Sequence, residues 1–318
     1  MFNPRYNGSR GAPWEDQSDK LSQTGVYASD RIKFGKWVLT LGGRYDWVNN
    51  GSTDNLANEV TTSKDAAFTG RAGLGYLFDN GVAPYASYST SFQPSAGTDF
   101  SGEMFKPTTG EQWEAGIKYQ PLGWNALFTA SVFDIIQQNV TTSDSINIGF
   151  LVQQGEVRSR GFEFEAKADL TNSLSVIAGY SYTDARITKD NPNAFGVSQV
   201  GHRLQSVPYH QAALWLDYQF MNPELRGLKV GGCVRYLGDS MAPKDAATGT
   251  QVDVPGYTLL DARISYDFGA QYADLKGFSL AVSGTNLTDE KYFTPGFTSN
   301  SVLFGNRRSI IATLAYKW

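Results

Sequence analysis

The 318 residues carry a formal charge of −4 at neutral pH and hold no Lys/Arg-rich block, which removes the electrostatic footprint of a nucleic-acid binder. A single cysteine, Cys233, excludes an internal disulfide and any site built on several thiolates, and it reads as a small apolar filler in a strand. There is no apolar run of about eighteen residues, so a helical membrane span is excluded, while 14% aromatics, 33 glycines and 4 methionines favour strands and tight turns.

A mean hydropathy of −0.33 looks soluble, yet a transmembrane strand barrel averages to a similar value because lipid-facing and lumen-facing residues alternate. The chain opens on Met1, Phe2, Asn3, Pro4 and Arg5 without an apolar core, so no signal peptide is visible. A first strand is predicted over 25–34. Trp37, Leu39, Leu41, Tyr45 and Trp47 then share one face, opposite Thr40, Arg44 and Asp46. Phe68, Ala72, Leu74, Tyr76 and Phe78 repeat the pattern opposite Thr69 and Arg71, and a further strand is expected over 84–92. Trp113, Ala115, Ile117 and Tyr119 stand opposite Gln112, Glu114 and Lys118, followed by a strand over 124–137. Phe162, Phe164, Ala166 and Ala168 oppose Glu163, Glu165, Lys167 and Asp169. Leu174 to Tyr182 and Leu214 to Phe220 alternate in the same way. Leu228, Val230, Val234 and Tyr236 oppose Lys229 and Arg235, and Thr258 to Tyr266 opposes Asp261, Arg263 and Asp267. After a segment over 278–286, the chain ends on 306–318, where Ile310, Ala312, Leu314, Tyr316 and Trp318 face away from Arg307, Ser309, Thr313 and Lys317. The total is about thirteen antiparallel strands of membrane-crossing length.

Aromatics gather at strand ends, as girdles at two membrane interfaces require: Trp37 and Trp47, Tyr76 and Phe78, Tyr218 and Phe220, Tyr316 and Trp318. Connections alternate between short Gly/Pro/Asn/Asp turns and links of roughly ten to twenty residues, predicted near 49–64, 95–110, 139–149, 189–207, 239–253 and 291–305. Short turns on the periplasmic rim and long loops outside is the layout of an outer-membrane barrel. If the last strand ends in the periplasm, an odd count begins the first strand outside the cell. Closed bacterial barrels have even strand numbers, so 1–318 reads as the C-terminal portion of a larger barrel.

Specific stretches sharpen the reading. Thr24-Gly25-Val26-Tyr27 leading to Leu39-Thr40-Leu41-Gly42-Gly43-Arg44-Tyr45-Asp46 resembles the TonB-dependent siderophore receptors. So do Leu77 to Tyr85, Ser89 to Pro94, Arg158-Ser159-Arg160-Gly161-Phe162-Glu163, Asn286-Leu287-Thr288-Asp289 and Gly305-Asn306-Arg307-Arg308, in order nearly from end to end. Within that family the chain looks most like the ferrichrome and related hydroxamate receptors. The resemblance implies a barrel of about twenty-two strands around an N-terminal plug, with a segment before it pulled by TonB. On that basis the plug, the coupling segment and about nine early strands are absent from 1–318. Where the ferrichrome receptor carries a disulfide in its last exterior loop, this chain has Gly296 and Val302, so that loop must be ordered differently.

A receptor for a bulky iron chelate needs aromatic and hydrogen-bonding surfaces in a concave mouth and no metal ligands or cofactor of its own. Phe297 and Phe304 lie in the last exterior loop, and the resemblance gives Phe297 an aromatic contact with the chelate. Phe2, Tyr6 and Trp14 precede the first strand, and Phe100 and Phe105 lie in another long loop; each could equally be structural. The lumen charges Arg44, Asp46, Arg71, Glu163, Glu165, Lys167, Asp261 and Arg263 suit either a plug domain or neighbouring strands. Arg158 and Arg160 break the face pattern before Phe162, which signals a bulge or the end of lipid contact. His202 and His210 lack partners at ligand spacing and read as surface histidines. No Gly-x-Ser-x-Gly elbow or phosphate-cradling loop is present, and the chain is read as a non-enzyme. The expectation is an outer-membrane receptor part for energy-coupled uptake of ferric siderophores, contacting lipid, chelate and, through an absent segment, TonB. A passive porin is the alternative, and a soluble β-sandwich the alternative at the level of fold.

Overall fold

The computed structural model describes residues 16–143, 147, 150–192, 196–245, 248, 250–296 and 300–318. Among them the chain builds seventeen strands and no α-helix. In order they are β1 (Gln17–Phe34), β2 (Trp37–Asp54), β3 (Glu59–Tyr76), β4 (Val82–Gln93), β5 (Thr108–Tyr119) and β6 (Ala126–Ser143). Then come β7 (Leu151–Asp169), β8 (Leu174–Lys189), β9 (His210–Gln219), β10 (Leu228–Leu237), β11 (Ser240–Met241) and β12 (Asp253–Val254). The last five are β13 (Tyr257–Asp267), β14 (Phe278–Thr285), β15 (Phe293–Pro295), β16 (Val302–Phe304) and β17 (Ser309–Tyr316). Thirteen of them form one antiparallel sheet in the order β1 to β10, β13, β14, β17, and the short pairs β11–β12 and β15–β16 decorate two loops. β1 and β17 are the two edges, so the described sheet is a curved wall that does not close on itself.

The register shows why the wall has one apolar side. Leu41 pairs with Ala72, Tyr45 with Phe68, Val132 with Phe162, Leu214 with Val234, Val230 with Ile264 and Leu280 with Leu314, so apolar side chains line up across every junction. These side chains have no second layer over them: Trp37 is 48% exposed, Trp113 63% and Tyr316 53%. An apolar surface of this extent is incompatible with water and suits lipid, which removes the β-sandwich alternative. The rings form two belts. Trp37, Tyr76 and Phe78 contact one another near the short turns at centroid distances of 4.9 and 4.7 Å, with Phe278 against Tyr316 and Tyr218 against Phe220 at the same rim. Tyr45 with Trp47 and Tyr88 with Trp113 mark the other belt. The ten steps from Trp37 to Trp47 cover roughly 33 Å of strand, which a tilt of about 40° reduces to about 25 Å, the height of the apolar band of a barrel.

Three expectations change. The link near 49–64 is mostly strand, because β2 and β3 stay paired out to Asp54 and Glu59. Beyond the membrane both faces meet water, so the ladder continues without the alternation that reveals it. The final strand covers Ser309–Tyr316 rather than 306–318, since its one partner, β14, ends at Thr285. Finally, Arg158 and Arg160 sit in regular register with Phe162, and the bulges lie instead at Gln138/Val140 and Glu156/Val157. All three side chains point outward, so the change in chemistry marks the end of the apolar band.

Candidate functional site

The long loops gather at one rim and are tied to one another. In the β4–β5 loop the Asp99 carboxylate accepts from the Ser101 and Glu103 amides and the Ser101 hydroxyl. That turn folds the chain back so that Phe105 packs beneath Gly97. The loop then reaches both sides: Asn50 Nδ2 on β2 donates to the Ser95 carbonyl at 2.9 Å, and the Lys106 amide donates to Gln153 Oε1 on β7 at 2.6 Å. On the far side the Ser206 amide donates to the Met241 carbonyl, and the Asn300 amide to that of Pro243. Lys244 Nζ lies 3.3 Å from His202 Nε2. These bonds join the loops after β8, β10 and β14. A cavity of about 300 Å³ opens where the loops after β8 and β10 meet the ends of β6, β7 and β8, lined by Val157, Ile187, His202, Lys244 and Gln251 among others. A larger concavity, about 990 Å³, lies at the opposite end of the inner wall, where Ser175, Asp217, Lys229 and Arg263 face the lumen.

The last loop is anchored by a polar network that starts on the inner wall. Arg235 Nε on β10 donates to Asp261 Oδ2 on β13 at 2.6 Å, and Asp261 Oδ1 accepts the Asn286 amide at 2.8 Å. Asn286 is 2% exposed and has φ of 49°, a left-handed conformation that asparagine tolerates better than most residues. Its side-chain Nδ2 donates to the carbonyls of Glu290 and Asn306, both at 3.0 Å, and its Oδ1 accepts the Glu290 backbone amide at 2.8 Å. Three residues on, Asp289 takes a bidentate bond from Arg307 and a backbone bond from Arg308. The two motif stretches at 286–289 and 305–308 therefore clasp the two feet of one loop. Between the feet, Tyr292 lies on the Cα of Gly305, where any side chain would collide with its ring, and stacks on Tyr257 at 4.1 Å. Pro295 pairs with Val302 and the Gly296 amide bonds to the Ser301 carbonyl, so a backbone hairpin stands where the resemblance would put a disulfide.

The guanidinium of Arg307 and the amide of Arg308 hold the Asp289 carboxyl far below the usual carboxylate range. Its folded-state pKa is thus lower than its unfolded one, so the clasp contributes fully above about pH 4 and is lost as pH falls through the folded value. Acidification below about pH 4 is expected to loosen the loop at 286–308, read as faster amide exchange there than in β13. An Asp289→Asn variant should show that faster exchange already at neutral pH, and unchanged exchange in the variant would refute the clasp.

Of the candidate aromatics, Phe304 is 86% exposed at the base of the β15–β16 hairpin, paired with Phe293 at a ring distance of 5.1 Å. Phe100 is 57% exposed and meets Phe150 edge to face, bridging two loops. Phe105 is only 6% exposed, and its ring packs against Gly97 at the base of its own loop. Phe297, Phe2, Tyr6 and Trp14 lie outside the described residues. His210 bonds the Tyr180 hydroxyl at 2.8 Å on the outer face, and among the described residues no group of three or more His, Cys, Asp and Glu side chains could hold a metal ion. Of the lumen charges, Asp46 accepts from Arg44 and Gln23 along the wall, and Asp261 from Arg235. Sequence reasoning missed the Tyr257–Tyr292 pair, although Tyr257 falls one step from Thr258 and so on the lumen face.

A family model described as TonB dependent receptor-like, beta-barrel matches residues 1–287. The chain is 38% identical over 300 residues to the ferrichrome outer membrane transporter/phage receptor of Escherichia coli (strain K12), covering 94% of this chain and 39% of that protein. It is 36% identical over 317 residues to the ferrioxamine B receptor of Salmonella typhimurium (strain SL1344), covering 99% and 43%. The crystal structure of the siderophore receptor PiuA from Acinetobacter baumannii matches with a TM-score of 0.76 at 26% identity, over 95% of this chain and 44% of that one. The chain spans about two fifths of the length of the curated relatives it matches. With its lipid-facing belts, inner wall and tied loops, the chain belongs to the TonB-dependent receptor β-barrel family of the bacterial outer membrane.

Proposed function

We propose that this chain is the C-terminal part of an outer-membrane receptor for energy-coupled uptake of ferric siderophores, most closely suited to hydroxamate chelates. Its strands would complete a barrel with partners upstream, and a plug and TonB-binding segment there would couple release to the proton gradient. The observation that carries the reading is the mouth itself. Exposed Phe100 and Phe304 and the inward Tyr257–Tyr292 pair sit on loops tied together by hydrogen bonds and held at the last loop by the Asp289–Arg307 ion pair. Such a surface recognises an iron already wrapped by its own ligand, through stacking and hydrogen bonds, and performs no bond-making step. Relatives named as ferrichrome and ferrioxamine receptors support the hydroxamate class.

The test is iron-limited growth of a strain lacking the gene, fed ferrichrome, ferrioxamine B or a catecholate chelate. Hydroxamate growth restored by the gene and lost when the proton gradient is collapsed is the expected result. Uptake that persists without the gradient would indicate a passive pore, and growth on the catecholate alone would overturn the substrate class. Phe304→Ala and Phe100→Ala are each expected to weaken chelate binding about tenfold, near 1.4 kcal/mol, measured by tryptophan fluorescence quenching. Phe105→Ala should instead make the β4–β5 loop more sensitive to protease, because it empties that loop's interior.

A further inference from the structure

Three arginines lie on the lipid-facing side of the wall, Arg160 in the register row of Trp113 in the aromatic belt and Arg158 and Arg186 one step outside it. The register places Asp134, Arg160 and Asp184 side by side on β6, β7 and β8, with Ile136, Arg158 and Arg186 in the next outward row. The row beneath them is Val132, Phe162 and Tyr182, which belongs to the apolar band. Arg158 engages Asp134 with both Nε, at 2.8 Å, and Nη2, at 2.5 Å. Arg186 bonds Asp184 through Nε, the Gly201 carbonyl through Nη1 and the Tyr209 hydroxyl through Nη2. Arg203 pairs with Asp239 and lies 3.7 Å over the Tyr209 ring.

Arg160 differs from these. It gives only Nε to Asp134, at 3.1 Å, and its side chain is 58% exposed. Its two terminal nitrogens have no acceptor among the described residues, although Asp134 fixes the direction in which they point. Glu111 on β5, which accepts from Tyr88, and Glu156 on β7, which lies next to Arg158 and is paired with Lys189, complete the charges facing this patch. Arg158, Arg160, Arg186, Arg203 and Lys189 are thus balanced by Asp134, Asp184, Asp239, Glu111 and Glu156, so selectivity at the patch comes from oriented donors and not from net charge. At this depth hydrocarbon gives way to headgroups, and the acceptor available to an outward guanidinium fork is a phosphate oxygen.

We propose that Arg160, oriented by Asp134 in the row beside Arg158 and Arg186, binds the phosphate of an outer-leaflet lipid headgroup. The proposal rests on the outer-membrane setting and is independent of which chelate is carried. It is tested on the complete receptor in phosphatidylcholine nanodiscs containing either diphosphoryl lipid A or its dephosphorylated form, with retained lipid counted by native mass spectrometry. The wild type should retain the phosphorylated lipid roughly tenfold better than the dephosphorylated one. Arg160→Gln should abolish that preference, and Arg160→Lys should keep part of it. Equal retention of the two lipids by the wild type would overturn the proposal without reliance on any variant. So would an Arg160→Gln receptor that still discriminates, or displacement of the lipid by equimolar inorganic phosphate, which would assign the donors to a free anion. Chelate binding, measured on the same samples, should be unchanged in Arg160→Gln, so a failure here and a failure of the transport reading give different results.

Discussion

Replacing Asn286 by alanine is expected to destabilise the clasp of the last exterior loop by about 3–5 kcal/mol, because three side-chain hydrogen bonds are removed where water cannot replace them. The carbonyls of Glu290 and Asn306 and the Glu290 amide all lose their partner, and alanine must also adopt a left-handed backbone at about 1 kcal/mol. The consequence spreads inward. Asp261 is 8% exposed and takes the Asn286 amide, so a displaced residue 286 leaves that carboxylate with Arg235 alone. Urea unfolding of the detergent-refolded receptor, followed by proteolysis at 286–308, measures the effect. Asn286→Asp retains an acceptor and tolerates the backbone but loses both donated bonds, so it should fall between alanine and wild type. A loss below about 0.5 kcal/mol for alanine would show that the loop does not depend on this residue.

The same network shows how far the sequence alone can be read. Alternation of apolar and polar residues locates all thirteen strands of the main sheet, because lipid on one side and water on the other impose a period of two on every crossing. The signal fails where that asymmetry ends. The β2–β3 hairpin beyond Asn50 is paired to its tip yet polar on both faces, so it reads as a loop. Phe100 and Phe105 are equivalent as letters in one loop, and only the fold-back set by Asp99 buries one and exposes the other. The stretches at 286–289 and 305–308 stand out by resemblance, but their mutual clasp joins residues about twenty positions apart and has no local signature. Tyr257 and Tyr292 meet across a still longer separation.

Gly161 presents the opposite case, a residue whose motif is plain in the sequence and whose reason lies across two strands. It pairs with Phe133 on β6 and Thr183 on β8, and Phe133 lays its ring over the glycine backbone. A Cβ at 161 would collide with the Tyr182 carbonyl oxygen and come within 2.9 Å of Phe133 Cε1. The ring could rotate away, but the carbonyl belongs to the backbone of the neighbouring strand, so relief requires β7 and β8 to part. Gly161→Ala is therefore expected to cost about 2–4 kcal/mol, and Gly161→Val more, through local loss of the β7–β8 ladder. Gly179 on β8 supplies the control. A Cβ there meets no atom within 4 Å, so Gly179→Ala should change stability by less than about 1 kcal/mol and with a stabilising sign, since it narrows the unfolded ensemble. Both variants can be followed by heat-modifiable gel migration and urea midpoint in the complete receptor. Equal midpoints for the two would mean that the sheet relaxes around residue 161, and that the glycine of the Arg158–Glu163 stretch is not required for β7 and β8 to pair.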